Sequence, residues 1–179
     1  SGKADWSHIA LVKKALTIPV FGNGDVFSPE AAMQMLEITN CDGVAVARGS
    51  LGNPWLIPSI TRYLDEGVLS DAPSTLDRLI TAYEHASALV EYKGARVGIN
   101  ESRRHMINYT KGISGAAPFR NRLTQITSKK DAAEILAELA FMSEGSTARE
   151  NFLLAVEQND LKYGEHPSEG KHDRKGSIK

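Results

Sequence analysis

Two short polar segments, each at the end of an apolar run, carry the residue types best suited to hold a phosphate group. Asn23-Gly24-Asp25 follows the run 18–21, and Ala47-Arg48-Gly49 follows the run 43–46. Glycine lets backbone N–H groups approach an anion closely, and the Arg48 guanidinium is a permanent, forked donor for phosphate oxygens. Glycines are also ordinary turn residues after strands, so one such segment alone is a weak signal. The two together predict an anion-binding edge.

The elements around these segments predict a strand–helix–strand unit. The two apolar runs are typical of strands that are buried on both faces of a parallel sheet. Between them, Ser28 is suited to cap a helix and Pro29 to begin it, and the apolar face of that helix contains Ala32, Met35 and Leu36. Such crossovers place successive strands parallel, so both polar segments would lie at the carboxyl edge of the sheet. In α/β barrels this edge carries the active site and a phosphate site in the last two loops.

A helix start after Arg48 extends the predicted phosphate site. The segment 49–52 is rich in glycine and could bring backbone N–H groups near an anion, and Asn53 and Pro54 are suited to cap and open the next helix. Pro58 would then lie inside that helix, where we expect it to introduce a kink.

These residues resemble the last two strand–helix units of the tRNA-dihydrouridine synthases, and most closely the bacterial B-type branch. The resemblance rests on the segments 18–25, 42–44 and 48–55, and Asn53-Pro54-Trp55 is its most specific part. It continues into the helical part of the chain, so that it spans residues 1–142, through Arg103-Arg104-His105, Tyr109-Thr110-Lys111-Gly112 and Phe119-Arg120.

The resemblance implies a TIM (β/α)8 barrel followed by a helical tRNA-binding domain, in an enzyme that binds FMN and takes hydride from NADPH. Reduced flavin passes hydride to C6 of a uridine in tRNA, and a cysteine protonates C5 to give 5,6-dihydrouridine. Carried over by position, the FMN contacts are Asn23, Gly24, Asp25, Ala47 and Arg48. The family usually has glycine where Ala47 stands, a change that keeps the backbone N–H but leaves less room beside it.

Length limits how much of such an enzyme the chain can contain. A (β/α)8 barrel needs about 250 residues, whereas this chain has 179, of which residues 1–66 read as barrel. We therefore expect a carboxyl-terminal fragment that lacks about six of the eight strands and is inactive by itself. The resemblance places the catalytic cysteine in the missing part, so no catalytic residue is predicted here. Cys41, the single cysteine, precedes the second strand at the non-catalytic face and is expected to be structural.

The rest of the chain is predicted to be helical. Residues 67–163 read as a bundle of four or five helices, with capping-type starts at Ser74, Ser128 and Thr147. Residues 164–179 combine charge with glycine and serine and hold few apolar side chains, so we expect a disordered tail.

A basic block from Lys93 to Arg122 makes the helical part a candidate RNA-binding surface. The block holds seven cations and one carboxylate, in a chain whose net charge is −1. This segregation favours contacts with phosphates, which set affinity and position. Tyr109 is suited either to stack on a base or to pack in the core. By position in the family's tRNA-binding segment, the candidate contacts are Arg103, Arg104, His105, Lys111 and Arg120.

Two other functions fit the same sequence. One is a non-catalytic helical RNA-binding module with a barrel remnant. The other is a different FMN- or phosphate-binding barrel oxidoreductase, such as a relative of dihydroorotate dehydrogenase, although the basic helices argue against it. The composition, with 41% hydrophobic and 24% charged residues, indicates a soluble globular chain without a membrane-spanning run or a cysteine cluster for a metal. We expect a cytoplasmic, monomeric enzyme that acts on tRNA.

Overall fold

The computed structural model describes residues 2–163, which form two strands, eight α-helices and one short 3-10 turn. These residues divide into two compact units. Residues 2–74 and 108–111 belong to the first unit, and residues 75–107 and 112–163 belong to the second. The predicted tail at 164–179 lies outside the described residues.

The first unit contains a pair of parallel strands joined by a helix. Its elements are α1 (Ser7–Ala15), β1 (Phe21–Asn23), α2 (Pro29–Thr39), β2 (Gly43–Ala45), the 3-10 turn (Arg48–Ser50) and α3 (Leu56–Glu66). Phe21 pairs with Gly43 and Asn23 with Ala45 in parallel register, which confirms the predicted strand–helix–strand unit. The sequence pattern did not predict α1. None of its residues is buried.

The helix α2 follows the predicted capping pattern and supplies the centre of the core. Ser28 Oγ accepts a hydrogen bond from the Ala31 N–H at 3.2 Å, and Pro29 occupies the first helical position. Ala32 and Met35 are fully buried, in a cluster that also contains Val26, Cys41, Leu56 and Ile60. The sequence therefore specified both the start and the inward face of this helix.

The strands differ from the prediction in position and in burial. The sequence placed the first strand at 18–21, but β1 begins at Phe21 and includes Asn23. Pro19 has no N–H to donate to a ladder, so regular pairing begins after it. Among the described residues, Ile18 is 62% and Phe21 is 68% exposed. The expectation that these runs are buried on both faces is therefore wrong for this part of the chain.

The helix α3 begins later than the sequence predicted. Its N-cap position is occupied by Trp55, which makes no side-chain capping hydrogen bond, so the predicted cap at Asn53 and start at Pro54 are wrong. Asn53 instead lies in a turn and donates its N–H to the Ser50 carbonyl at 3.0 Å. Pro58 falls in the first turn of α3, where a helix needs no N–H from it, so the reason to expect a kink disappears.

The second unit is helical. Its helices are α4 (Thr75–Lys93), α5 (Ala95–Tyr109), α6 (Ala117–Leu123), α7 (Lys129–Glu144) and α8 (Ser146–Tyr163). The last two residues of α5 group with the first unit. α4, α7 and α8 pack against one another around fully buried side chains, which include Leu79, Tyr83, Leu136 and Phe152.

The predicted helix starts in this unit have different outcomes. At α7, Ser128 and Asp131 form a complete capping box, as predicted. α4 begins at Thr75, directly after Ser74. α8 begins at Ser146, so Thr147 lies inside the helix and the predicted cap there is wrong.

Candidate functional site

The loops after β1 and β2 lie side by side and line a small cavity. Its volume is about 40 Å³, and its walls come from residues 23–27, from Ala45 and from residues 47–49. All five predicted FMN contacts line this cavity: Asn23, Gly24, Asp25, Ala47 and Arg48. The parallel register brings them together because both strands end at the same edge of the sheet. Binding of FMN by these residues stays a prediction.

Asn23 links the ends of the two strands. Its Nδ2 donates a hydrogen bond to the Ala45 carbonyl at 2.7 Å. The amide therefore links the two loops, and one of its two N–H donors is already used within the protein.

An ion pair occupies the charged side of the cavity. Arg48 Nη2 lies 2.6 Å from Asp25 Oδ1, and the backbone N–H of Ala4 donates to Asp25 Oδ2 at 2.7 Å. The side chain of Arg48 is 65% exposed and that of Asp25 is 22% exposed. Arg48 also lies over the ring of Phe27, with 5.8 Å from its guanidinium carbon to the ring centroid. The predicted phosphate donor is therefore held at the loop by a carboxylate and an aromatic ring.

The segment before α1 holds the first loop in shape. Trp6 Nε1 donates to the Gly24 carbonyl at 2.9 Å. Gly24 has φ +131°, and a Cβ at this position would lie 2.6 Å from the Cβ of Ala4. Neither Ala4 nor Trp6 was predicted as a loop contact, since no local pattern connects them to a turn that follows about twenty residues later.

Two of the backbone donors that the sequence predicted in the segment 49–52 are used within the protein. The N–H of Ser50 donates to Ala47 O at 3.2 Å, and the N–H of Leu51 donates to Arg48 O at 3.3 Å. A Cβ on Gly49 would lie 2.2 Å from the Val26 carbonyl oxygen. Gly49 thus permits close approach of the protein's own backbone, and two of the expected N–H groups are used inside the 3-10 turn.

These residues fit one end of a flavin nucleotide and not the whole molecule. A cavity of about 40 Å³ has room for a phosphate-sized group but not for an isoalloxazine ring and its ribityl chain. Arg48 is the one cation among the residues that line this described cavity, and its exposure lets it reach an anion in solvent. The donor set therefore suits a phosphate, provided that Arg48 exchanges one anionic partner for another.

Arg103, predicted as an RNA contact, serves the fold of the second unit. Its Nε and Nη2 both donate to the Ile126 carbonyl, at 2.9 and 2.6 Å. The guanidinium is partly buried and joins α5 to the segment before α7. The guanidinium of Arg103 therefore stabilises the second unit through the Ile126 carbonyl. Arg104 and Lys111 are exposed, and Arg120 is partly exposed.

Other charges of the basic block are partly neutralised. Lys93 pairs with Glu101 at 2.6 Å, and Arg122 forms a two-pronged pair with Glu138 at 2.5 and 2.8 Å. Glu138 lies outside the block in the sequence, so charge counted along the chain overstates the positive surface. The pair raises the pKa of Arg122 and lowers the pKa of Glu138.

His105 is partly buried and Tyr109 is buried. The ring of His105 lies against that of His85, with centroids 4.5 Å apart. Burial first, and then the nearby positive charge of Arg104, lowers the pKa of His105, so the ring is mostly neutral at neutral pH. Tyr109 is only 4% exposed and meets Trp55 edge to face, at 6.4 Å between ring centroids. Of its two predicted roles, core packing is the one observed.

Cys41 is buried, as its predicted structural role requires. Its Sγ lies 3.3 Å from the Gly43 carbonyl oxygen. Within residues 2–163, no group of three His, Cys, Asp or Glu side chains is arranged to hold a metal ion. No helix in that range has both the length and the apolar character needed to cross a lipid bilayer.

Comparison with known proteins assigns the chain to a family. Residues 1–145 match the family described as dihydrouridine synthase (Dus). The chain is 46% identical over 136 residues to "Probable tRNA-dihydrouridine synthase 1" of Synechocystis sp., which covers 76% of this chain and 38% of the relative. It is 43% identical over 120 residues to "Probable tRNA-dihydrouridine synthase" of Rickettsia bellii, with coverage of 67% and 37%.

A relative named as B-type also matches. The chain is 33% identical over 153 residues to "tRNA-dihydrouridine synthase B" of Pseudomonas syringae pv. tomato, which covers 84% of this chain and 44% of the relative. The chain spans about two-fifths of the length of the curated relatives it matches. Since the family match extends over residues 1–145, the chain belongs to the dihydrouridine synthase family.

Proposed function

We propose that the protein containing this chain is a tRNA-dihydrouridine synthase, which reduces a uridine in tRNA to 5,6-dihydrouridine with FMN and NADPH. The observation that carries the proposal is the family match over residues 1–145. Relatives at 46% and 43% identity that are named as probable tRNA-dihydrouridine synthases support it. In the proposed reaction, C6 of uridine gains a hydride, which flavin reduced by NADPH would supply, and C5 gains a proton.

The residues of the first unit act at the phosphate end of the cofactor. Arg48 donates to the phosphate oxygens when FMN is bound. Without FMN, Asp25 accepts a hydrogen bond from the guanidinium and keeps it at the loop. Asn23 links the two loops through its bond to Ala45. Gly24 and Ala47 contribute the close backbone approach that a phosphate requires.

The described residues supply only part of a flavin site. The cavity of about 40 Å³ holds a phosphate at most, and the resemblance places the catalytic cysteine and the ring-binding residues outside this chain. We therefore expect the 179-residue chain to bind FMN weakly and not to reduce tRNA without the rest of the enzyme. A yellow, flavin-loaded preparation of this chain would contradict that expectation.

The helical unit contacts the tRNA backbone in this proposal. In this unit Arg104 is exposed and meets phosphates directly, and Arg120 contributes at a partly exposed position. Lys111, which is exposed and groups with the first unit, is proposed as a separate phosphate contact. Arg103 stabilises the helical unit through its hydrogen bonds to the Ile126 carbonyl. The B-type assignment, the TIM barrel, the monomeric state and the cytoplasmic location stay predictions from the resemblance.

An assay with an unmodified tRNA transcript tests the proposal. The whole protein that carries this chain is loaded with FMN and incubated with the transcript and NADPH. We expect one fragment of the digested tRNA to gain the mass of two hydrogen atoms, and no gain without NADPH. Flavin-loaded protein that binds the transcript but leaves its mass unchanged would contradict the proposal and favour the non-catalytic RNA-binding alternative.

A further inference from the structure

Gly52 lies where the loop after the phosphate cavity meets the segment 108–111, which carries Lys111. A Cβ on Gly52 would lie 2.6 Å from the Tyr109 nitrogen and 2.7 Å from the Asn108 carbonyl oxygen, and closer still to the Asn108 carbonyl carbon. These are backbone atoms, so none of them can turn aside as a flexible side chain would. Gly52 and the segment 108–111 group together in the first unit, so the contact lies inside one compact body. It requires a residue without a side chain at position 52.

The loop side of this contact has little freedom to move. The 3-10 turn Arg48–Ser50 comes just before Gly52 in the chain. A Cβ on Gly49 would overlap the Val26 carbonyl oxygen, so the turn already packs tightly against the loop that follows β1. Because the turn has no room to move toward Val26, we expect a side chain at position 52 to displace the other side of the contact, which is the segment 108–111.

The other side of the contact holds the backbone of Lys111. The Lys111 N–H donates to the Asn108 carbonyl oxygen at 3.3 Å, and this is the oxygen that a Cβ at position 52 would approach to 2.7 Å. Tyr109 is 4% exposed and Thr110 is 0% exposed, whereas Lys111 is exposed. The two buried residues therefore anchor the segment in the first unit, and the residue after them reaches the surface.

We propose that Gly52 is a positioning residue for tRNA, which acts through Lys111 by letting the segment 108–111 lie against the loop after the phosphate cavity. This inference rests on the proposed function, in which Lys111 contacts a phosphate of the tRNA backbone. Arg48 and Gly52 belong to the same loop, so one loop sets the place of the flavin phosphate and of one cation for RNA. Phosphate contacts fix the register and orientation of a bound nucleic acid. Gly52 therefore helps to set where the tRNA lies relative to the flavin.

Gly52→Ala in the whole protein tests the proposal, and Gly67→Ala is its matched control. Gly52 has φ +70° and Gly67 has φ +69°, but a Cβ on Gly67 would meet no atom of the described residues within 4 Å. Both variants therefore carry the cost of a left-handed alanine, and only Gly52→Ala displaces a neighbour. We expect Gly52→Ala to weaken tRNA binding about fivefold and to reduce the slope of log affinity against log salt by about 1, as loss of the Lys111 contact does. Gly67→Ala should change neither quantity, and the FMN content should be the same in both variants.

A double-mutant cycle separates positioning of Lys111 from a general loss of structure. In the Gly52→Ala protein, Lys111→Ala should have no further effect on tRNA affinity, because its phosphate contact has already been lost. Arg104→Ala, which lies in the second unit, should keep its full effect whether or not Gly52 is replaced. Additive effects of Gly52→Ala and Lys111→Ala would overturn the proposal. A fall in FMN content without a change in tRNA affinity would also overturn it.

Tyr109→Leu loosens the same contact from the other side and takes the place of Gly52→Ala if that variant does not fold. It removes the ring that meets Trp55 edge to face and keeps an apolar side chain. Lys111→Ala should then weaken tRNA binding by a smaller factor in the Tyr109→Leu protein than in the unmodified protein. An equal factor in the two proteins would overturn the proposal.

Fluorescence anisotropy of labelled tRNA measures these affinities without catalysis. Protein that binds tRNA but forms no dihydrouridine would contradict the proposed function, and the double-mutant cycle would still decide the role of Gly52. Unmodified protein that does not bind tRNA would contradict both.

Discussion

Arg48 and Asp25 form an ion pair whose strength suits exchange with a phosphate. Their atoms lie 2.6 Å apart, yet Arg48 is 65% exposed, so water screens the pair. Exposed pairs of this type contribute about 0–1 kcal/mol to stability. Replacing the carboxylate by a phosphate oxygen therefore costs little, and a phosphate group offers Arg48 a fork of oxygens and a larger charge.

Removal of the Arg48 side chain should lower flavin retention. In the whole enzyme, Arg48→Ala removes the one cation that the described residues place at the phosphate cavity, and we expect the FMN content after gel filtration to fall. Arg48→Lys should retain an intermediate amount, because it keeps the charge but loses the fork. Arg62→Ala, which removes an exposed arginine from α3, is the control. Equal FMN content in all three variants would show that Arg48 has no role at the phosphate.

Arg103 and Arg104 are neighbours in sequence with different roles in the structure. Arg103→Ala removes both donors to the Ile126 carbonyl and should reduce the free energy of unfolding by about 1–3 kcal/mol. Arg104→Ala, at an exposed position, should change it by about 0.5 kcal/mol or less. Urea unfolding followed by circular dichroism compares the two. A larger loss for Arg104→Ala would contradict the assignment.

Among the elements, α7 begins with a capping box that can be recognised from the sequence alone. Ser128 Oγ accepts from the Asp131 N–H at 3.1 Å, and Asp131 Oδ2 accepts from the Ser128 N–H at 3.0 Å. Asp131 also accepts from the backbone N–H and the hydroxyl of Thr127, at 2.6 and 2.8 Å. These hydrogen bonds, led by the Thr127 N–H, lower the pKa of Asp131 from 3.8 to about 2.

The lowered pKa predicts how the stability of the second unit depends on pH. Because the folded-state pKa lies below the unfolded value, the ionised Asp131 stabilises the fold above pH 3.8, and this contribution is lost as the pH falls to about 2. Asp131→Asn should therefore be less stable than the unmodified chain at pH 7, and the difference should shrink toward pH 2. Urea unfolding at several pH values measures it. Glu157→Gln, at an exposed position of α8, should show no such convergence.

Other elements depend on contacts that local patterns do not contain. Ser28 and Ser128 were found from sequence because a capping hydroxyl and the backbone N–H that donates to it lie within three residues of each other. The start of α3 was misplaced because the chain first forms the 3-10 turn, and the close contact of Gly49 with Val26 fixes that turn. Local propensity favoured Asn53 as the cap, and tertiary packing overrode it.

For the molecule as a whole, the sequence predicted which residues lie together at the cavity. It did not predict the hydrogen bonds and ion pairs that these and other charged residues form within the protein. Parallel strand topology was sufficient to bring Asn23 and Arg48 to one cavity. The link from Asp25 to Ala4 and the pair between Arg122 and Glu138 join residues more than ten positions apart, so no spacing rule reveals them. Charge along the chain therefore predicted more exposed cations than the structure shows.

The exposed cations predict the salt dependence of tRNA binding. Arg104→Ala and Lys111→Ala in the whole enzyme should each lower tRNA affinity and reduce the slope of log affinity against log salt by about 1. Arg149→Ala, which removes an exposed cation of α8 outside the basic block, should leave the slope unchanged. Fluorescence anisotropy from 50 to 200 mM salt measures the slopes, and identical slopes in all variants would contradict a phosphate-facing role for the block.

We propose that the protein carrying this chain makes dihydrouridine in tRNA, and a map of dihydrouridine in cellular tRNA tests this proposal directly. The map compares cells with the gene, cells without it, and cells to which it has been restored. We predict that at least one uridine position loses dihydrouridine without the gene and regains it on restoration. Dihydrouridine that persists at every position in cells without the gene would contradict the proposed function.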